Sequence, residues 1–120
     1  MKKVSNSDIE THHAFLQLFL IFLKIKERPV ITYDYKHAKK HCVPPSKKEK
    51  VDGLTSRYGT LIFIHPKIVR LTKLEQAELI LHECLHVKYP DLSENDIREM
   101  TAKYIFINPY YLDNKKTKGC

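Results

Sequence analysis

The chain has 120 residues, one domain's worth of polypeptide, of which 42% are hydrophobic and 29% charged with only three Gly and six Pro; this excludes a disordered, collagen-like or low-complexity chain. Lys and Arg outnumber Asp and Glu by 21 to 14, a formal net charge of +7 that permits contact with a polyanion without establishing it. The three cysteines, Cys42, Cys84 and Cys120, are an odd number that makes no disulfide framework, so a reducing, cytoplasmic setting is expected.

Near the start, Lys2 and Lys3 precede an apolar run from Ala14 to Leu23 broken only by Gln17, in loose imitation of a signal peptide. Against export, Asp8 and Glu10 place acid in the leader, and Lys24-Ile25-Lys26-Glu27-Arg28 follows where small residues would mark a cleavage site. The run is also short of the roughly 20 apolar residues that span a bilayer, so no membrane span is expected. It reads as a buried helix that Ser7 and Glu10 start as a capping box and Pro29 stops.

Val30, Ile31, Tyr33 and Tyr35 are β-branched or aromatic and predict a first strand between Pro29 and Tyr35. Residues 36–50 hold six lysines against one acid, with Pro44-Pro45 in the middle, so at least the second half of this basic stretch reads as a solvated loop. After the turn signal Asp52-Gly53, two strands are expected over Thr55 to Tyr58 and Thr60 to Ile64, joined near Gly59. Thr72 with Glu75 forms a capping box for a helix from Lys73 to Lys88 that Pro90 ends. Ser93 with Asp96 starts another, from Glu94 to about Ile107, stopped by Asn108-Pro109. The expected fold class is therefore α+β: an N-terminal helix, a sheet of about three strands, and two antiparallel helices, in a single domain over residues 1–112 with a polar tail at 113–120.

The third expected helix contains His82-Glu83-Cys84-Leu85-His86, an H-E-x-x-H. Side chains four apart on a helix stand one turn above each other, so two imidazoles can converge on one metal ion, while the intervening Glu can take a proton without being a ligand. The motif alone fixes three positions. Its setting adds weight, because Leu79, Ile80, Leu81, Leu85 and Val87 make the helix mostly apolar, and burying a Glu and two His there is costly unless they are paired or coordinate something. A zinc site that works on a substrate needs a third protein ligand and an open fourth position. Matching heights on the two antiparallel helices places Glu99 level with the His pair, whereas Glu94, in the first turn, is nearer the loop and suits the positive end of the helix dipole.

H-E-x-x-H followed by a glutamate on the next helix resembles the gluzincin zinc metallopeptidases, and the short chain is most similar to the single-domain minigluzincins. The resemblance runs from about Gly59 to Ile105; it includes Leu61-Ile62-Phe63-Ile64, the turn at His65-Pro66, Leu71 to Glu75, and His86 to Asp91. It implies one catalytic zinc per chain held by His82, His86 and Glu99, with Glu83 as general base and acid in peptide-bond hydrolysis. A peptide or unfolded protein would be the substrate, aligned by main-chain pairing with the strand before the active helix, and a His or Tyr would donate to the oxyanion; Tyr104, Tyr110 and Tyr111 are the tyrosines available. Lys88 departs from the apolar residue favoured after such a motif. A second metal on His37, His41 and Cys42 is disfavoured by the surrounding lysines. The competing class is a catalytically silent binding module that keeps zinc for stability and turns the 36–50 loop to nucleic acid or an acidic partner.

Overall fold

A computed structural model describes residues 4–39, 53–56 and 60–107. Its elements are α1 (Asn6–Phe22), β1 (Val30–Thr32), the short α2 (Tyr35–Lys39), β2 (Gly53–Thr55), β3 (Leu61–Ile64), α3 (Lys73–Lys88) and α4 (Glu94–Ile107), with a 3-10 helix at Pro66–Arg70 between β3 and α3. Helices and a small sheet are mixed along the chain, an α+β arrangement. None of the described helices is long and apolar enough to cross a membrane. Most of the basic loop, with His41 and Cys42, and likewise Tyr58, Gly59, Asn108-Pro109, Tyr110, Tyr111 and the 113–120 tail, lies outside the described residues.

The first helix begins and ends at signals other than those expected. Ser5, not Ser7, is the N-cap: its hydroxyl accepts from the Asp8 N–H at 3.1 Å, and the Asp8 carboxylate accepts from the Ser5 N–H at 3.1 Å. Aspartate here fills the place that glutamate takes in the usual capping box. The helix stops well before Pro29. Lys24 adopts φ 57°, its N–H donates to Ile21 O at 3.1 Å, and the Ile25 N–H donates to Leu20 O at 2.9 Å. That pair of bonds is a Schellman ending, completed by the burial of both Ile25 and Leu20. A lysine in the left-handed region costs about 1–2 kcal/mol relative to a glycine, offset by the apolar contact it makes possible.

The sheet has strand order β1-β3-β2, with β1 parallel and β2 antiparallel to β3. β1 is shorter than expected, because Tyr35 already opens α2, and β2 ends at Thr55, where the expected second strand was to begin. Buried on both faces, β3 carries Ile62 and Ile64 in the helical core, while Phe63 meets the Tyr35 ring edge-on at 5.5 Å on the other side. Directly opposed residues of an antiparallel pair share a face. Gly53 and Thr55, opposite Ile64 and Ile62, therefore face the helices.

Helix α3 forms where the capping box predicts it: the Thr72 hydroxyl accepts from the Glu75 N–H at 3.1 Å and Glu75 accepts from the Thr72 N–H at 3.0 Å. Ala77, Ile80, Leu81, Cys84, Leu85 and Val87 recur at helical spacing and join Leu16, Phe19 and Leu20 of α1, and Leu23 at its C-cap, with Ile62, Ile64, Ile68 and Ile97 in one core. The pairing of α1 and α3 also contains a polar clamp. His12, fully buried, lies 2.7 Å from Gln76 Oε1 through Nε2 and 2.8 Å from the Tyr33 hydroxyl through Nδ1. Gln76 donates its amide N–H to Leu71 O at 2.9 Å, so its Oε1 accepts from His12 Nε2–H and His12 Nδ1 accepts from Tyr33. The imidazole is thereby held neutral with both nitrogens satisfied.

Burial pushes the His12 pKa down, assisted by Lys73 and opposed by the Gln76 acceptor and Asp8, and the same burial, with Asp8, pushes the Tyr33 phenol up to about 12. The unfolded chain therefore takes up a proton at this histidine, below its ordinary pKa of about 6.5, before the folded chain does, and stability falls as pH drops through that point. Urea unfolding of the wild type and of His12→Phe between pH 7.5 and 5.5 checks this: the variant starts less stable, and the difference between the two proteins narrows toward acid by up to about 1.4 kcal/mol per pH unit, the slope of one proton.

Candidate metal centre

His82 and His86 lie on the last three turns of α3, and their Nε2 atoms stand 3.3 Å apart with the rings tilted at 70°. Glu94, the first residue of α4, closes the group: His82 Nε2 is 3.0 Å from its Oε2 and His86 Nε2 is 2.9 Å from its Oε1. One ligand atom from each of the three can be chosen so that all lie within 4.8 Å of one another.

The expected ligand Glu99 is not part of this group. It is exposed, and its place on the wheel of α4 explains why. Ile97 and Thr101 are buried and mark the face that α4 turns inward. At about 100° per residue, Glu94 lies about 20° from Thr101 and about 60° from Ile97, whereas Glu99 lies about 160° from both. Height above the loop favoured Glu99, but rotation about the axis puts it on the opposite face. The long Glu94 side chain, on the inward face, makes up the difference in height.

The donor set suits a divalent ion. Two ligand atoms about 2.0–2.1 Å from zinc at the tetrahedral angle are about 3.3 Å apart, which is the separation of the two Nε2 atoms. Two imidazoles with one carboxylate match the nitrogen and oxygen ligands that zinc takes, and three protein ligands leave a position open. Electrostatics agree. Burial is the largest influence on His82 and pushes its pKa down, keeping it in the neutral form a metal requires. For Glu94, burial works upward but is outweighed by His82, His86 and Arg98, and the carboxyl is held below its usual range. Arg98, which donates Nε–H to Glu94 Oε2 at 3.3 Å, is exposed and one turn along α4.

Thr101 was missed by reading the sequence alone. It is 4% exposed; its hydroxyl donates to Ile97 O at 2.7 Å and lies 3.5 Å from His82 Nδ1. With its proton committed to the carbonyl, the oxygen can accept from Nδ1–H, which leaves His82 Nε2 free for a metal. The available signal was Thr101 at i+7 from Glu94, two turns along the same face.

Glu83 is 3% exposed. Burial pushes its carboxyl up to about 8; the hydrogen bond from Thr55 works against this rise, and the neighbouring Glu94 charge adds to it. Two carboxyl groups that repel beside a pair of imidazoles are a setting that a cation relieves. Cys84 points the other way, fully buried, its thiol pushed up to about 12 by burial and by Glu83. His65 is not a ligand either: its Nδ1 accepts from the Lys67 N–H at 3.0 Å as cap of the 3-10 helix. His37 is exposed on α2. Among the expected tyrosines, Tyr104 packs edge-on against Phe22, with ring centroids 5.5 Å apart.

Replacing the third donor gives a sharp contrast. Glu94→Ala weakens zinc affinity at least about a hundredfold, as loss of one of three protein ligands should, while Glu99→Ala stays within about twofold of wild type; competition with a chromophoric chelator at pH 7.5 measures both. No protein-family model matches the chain, and no curated protein matches it.

Proposed function

We propose that this chain is a zinc-dependent metallopeptidase that hydrolyses peptide bonds with Glu83 as general base, as the H-E-x-x-H resemblance implies. The observation that carries this proposal is the convergence of His82 Nε2, His86 Nε2 and the Glu94 carboxylate within 4.8 Å, on the same helix that buries Glu83. His82, His86 and Glu94 would hold the ion, with α4 running back along α3 to bring Glu94 to the pair. The ion, when bound, supplies Lewis acidity, bringing the pKa of a coordinated water toward about 7 and polarising a substrate carbonyl.

What the chain itself contributes is proton handling and alignment. Glu83 Oε1 is engaged by the Thr55 hydroxyl at 2.7 Å, so Oε2 is the oxygen left to take up a proton and return it to the leaving amine. Keeping this carboxyl out of bulk water raises its pKa toward the working pH, where an acid that must also act as a base is most effective. The strand that aligns a peptide is not β3, because β1 and β2 occupy both of its sides. β2 takes over that role. Ser56 N–H donates to Leu61 O at 2.9 Å, so in the antiparallel ladder Leu54 is the next residue bonded toward β3, and the main-chain groups of Gly53 and Thr55 point to the outer edge. A substrate in extended form would add there as a further strand.

The competing class, a zinc-stabilised binding module, has no use for a proton acceptor at Glu83. Glu83→Gln keeps shape and zinc but cannot accept the proton. Cleavage of an unstructured polypeptide such as casein is therefore expected to fall by about 10²–10⁴ in the variant, with one zinc per chain in both proteins by elemental analysis. Equal turnover in the two would rule out the peptidase, and purified protein free of metal after zinc loading would rule out both classes.

A further inference from the structure

Glu83 is the one carboxyl side chain of α3 that the fold encloses almost completely. A glutamate has three rotatable bonds and a large rotamer entropy, so a defined direction for its carboxylate has to be imposed by neighbours. Both neighbours that do so come from β2. The Thr55 hydroxyl donates to Glu83 Oε1 at 2.7 Å and lies 3.2 Å from the main-chain oxygen of the same residue. On the other side, a Cβ built on Gly53 would stand 2.6 Å from Oε2, 3.0 Å from Cδ and 3.2 Å from Cγ, so the carboxylate occupies the space that any other residue at 53 would fill. The two positions are linked by the strand: opposite Ile64 and Ile62 respectively, they project to the same face of the sheet with one residue between them.

We propose that β2 is the positioning device for Glu83, with Thr55 as the hydroxyl that orients its carboxylate and Gly53 as the clearance that admits it. This deepens the peptidase assignment and rests on it for the word base; the tie between the two residues does not. A valine at 55 has the shape of threonine and would hold β2 against α3 by packing, but it would leave Oε1 buried without a donor. An alanine at 53 would force the carboxylate off Oε2's present position. Because Gly53 and Thr55 also present the outer edge of the sheet, the same two residues that align a peptide set the direction of the group that acts on it.

Two measurements decide the matter. In casein cleavage by the zinc-loaded protein, Thr55→Val should lower kcat by about 10- to 100-fold with KM and zinc content unchanged, Thr55→Ser should restore most of it, and Thr55→Val should add nothing in a Glu83→Gln background. The second reads the contact without any activity, by urea unfolding of the zinc-free protein. Thr55→Val should lower the ratio of folded to unfolded chain about tenfold or more when Glu83 is present, the order expected for stranding a buried polar group, and less than twofold when Glu83→Leu has removed the acceptor. Gly53→Ala gives an independent version, destabilising with Glu83 and relieved by Glu83→Ala, which deletes the atoms it overlaps. Equal penalties in the paired backgrounds would overturn the proposal, as would a wild-type peptidase whose kcat Thr55→Val leaves unchanged. A wild type that holds zinc and cleaves nothing, yet shows the unfolding coupling, would end the peptidase assignment and leave the contact standing.

Discussion

A carboxyl group inside the core of a small protein is the constraint around which α3 is organised. Removing a carboxylate from water costs several kcal/mol unless it is neutralised or bonded, and Glu83 is 3% exposed on a helix whose neighbouring positions are Leu81, Cys84 and Leu85. Helical geometry lets one segment serve two purposes. Its apolar residues face α1 and β3, the imidazoles of His82 and His86 look toward the start of α4, and Glu83 lies between those faces under the edge strand β2. The two elements that meet α3 on the chemical side supply three groups: a carboxylate and a hydroxyl from α4 and another hydroxyl from β2.

The helices were legible because their ends carry local chemistry. Thr72 with Glu75, and Ser93 as the residue whose hydroxyl accepts from the Asp96 N–H at 3.1 Å, announce α3 and α4 without reference to anything distant. The start of α1 lies two residues before the expected one because Ser5 with Asp8 and Ser7 with Glu10 are rival boxes, and the earlier one forms, leaving Ser7 inside the helix. Its end was hidden because the left-handed residue is a lysine. Strand limits were the least legible part, since three- and four-residue strands carry too little alternation to define a register.

At the candidate metal centre, the placing of the two histidines one turn apart, with Glu83 between them, follows from spacing on a single helix. Which carboxylate joins the two histidines depends on how α4 is rotated against α3, a property of tertiary packing that a height argument ignores. Ile97 and Thr101 were the residues to consult, because the inward face of α4 is the one that carries them, and Glu94 shares it. The His12, Tyr33 and Gln76 clamp lies at the opposite extreme. Its members are 21 and 64 residues apart in sequence, so nothing local reveals them, yet they tie the first helix to the one that carries the histidines.

Cys84, two residues from each histidine of the candidate metal centre, faces the core at 0% exposure. A thiol held protonated and away from solvent reacts slowly with alkylating and oxidising agents, so the sulfur placed nearest to the metal ligands in sequence is chemically silent while α3 stays packed. Modification at this atom has to wait for the helix to separate from α1 and β3. Its rate therefore serves as a clock for the opening of the core behind the metal centre, distinct from the fraying of helix ends that solvent-facing groups would register.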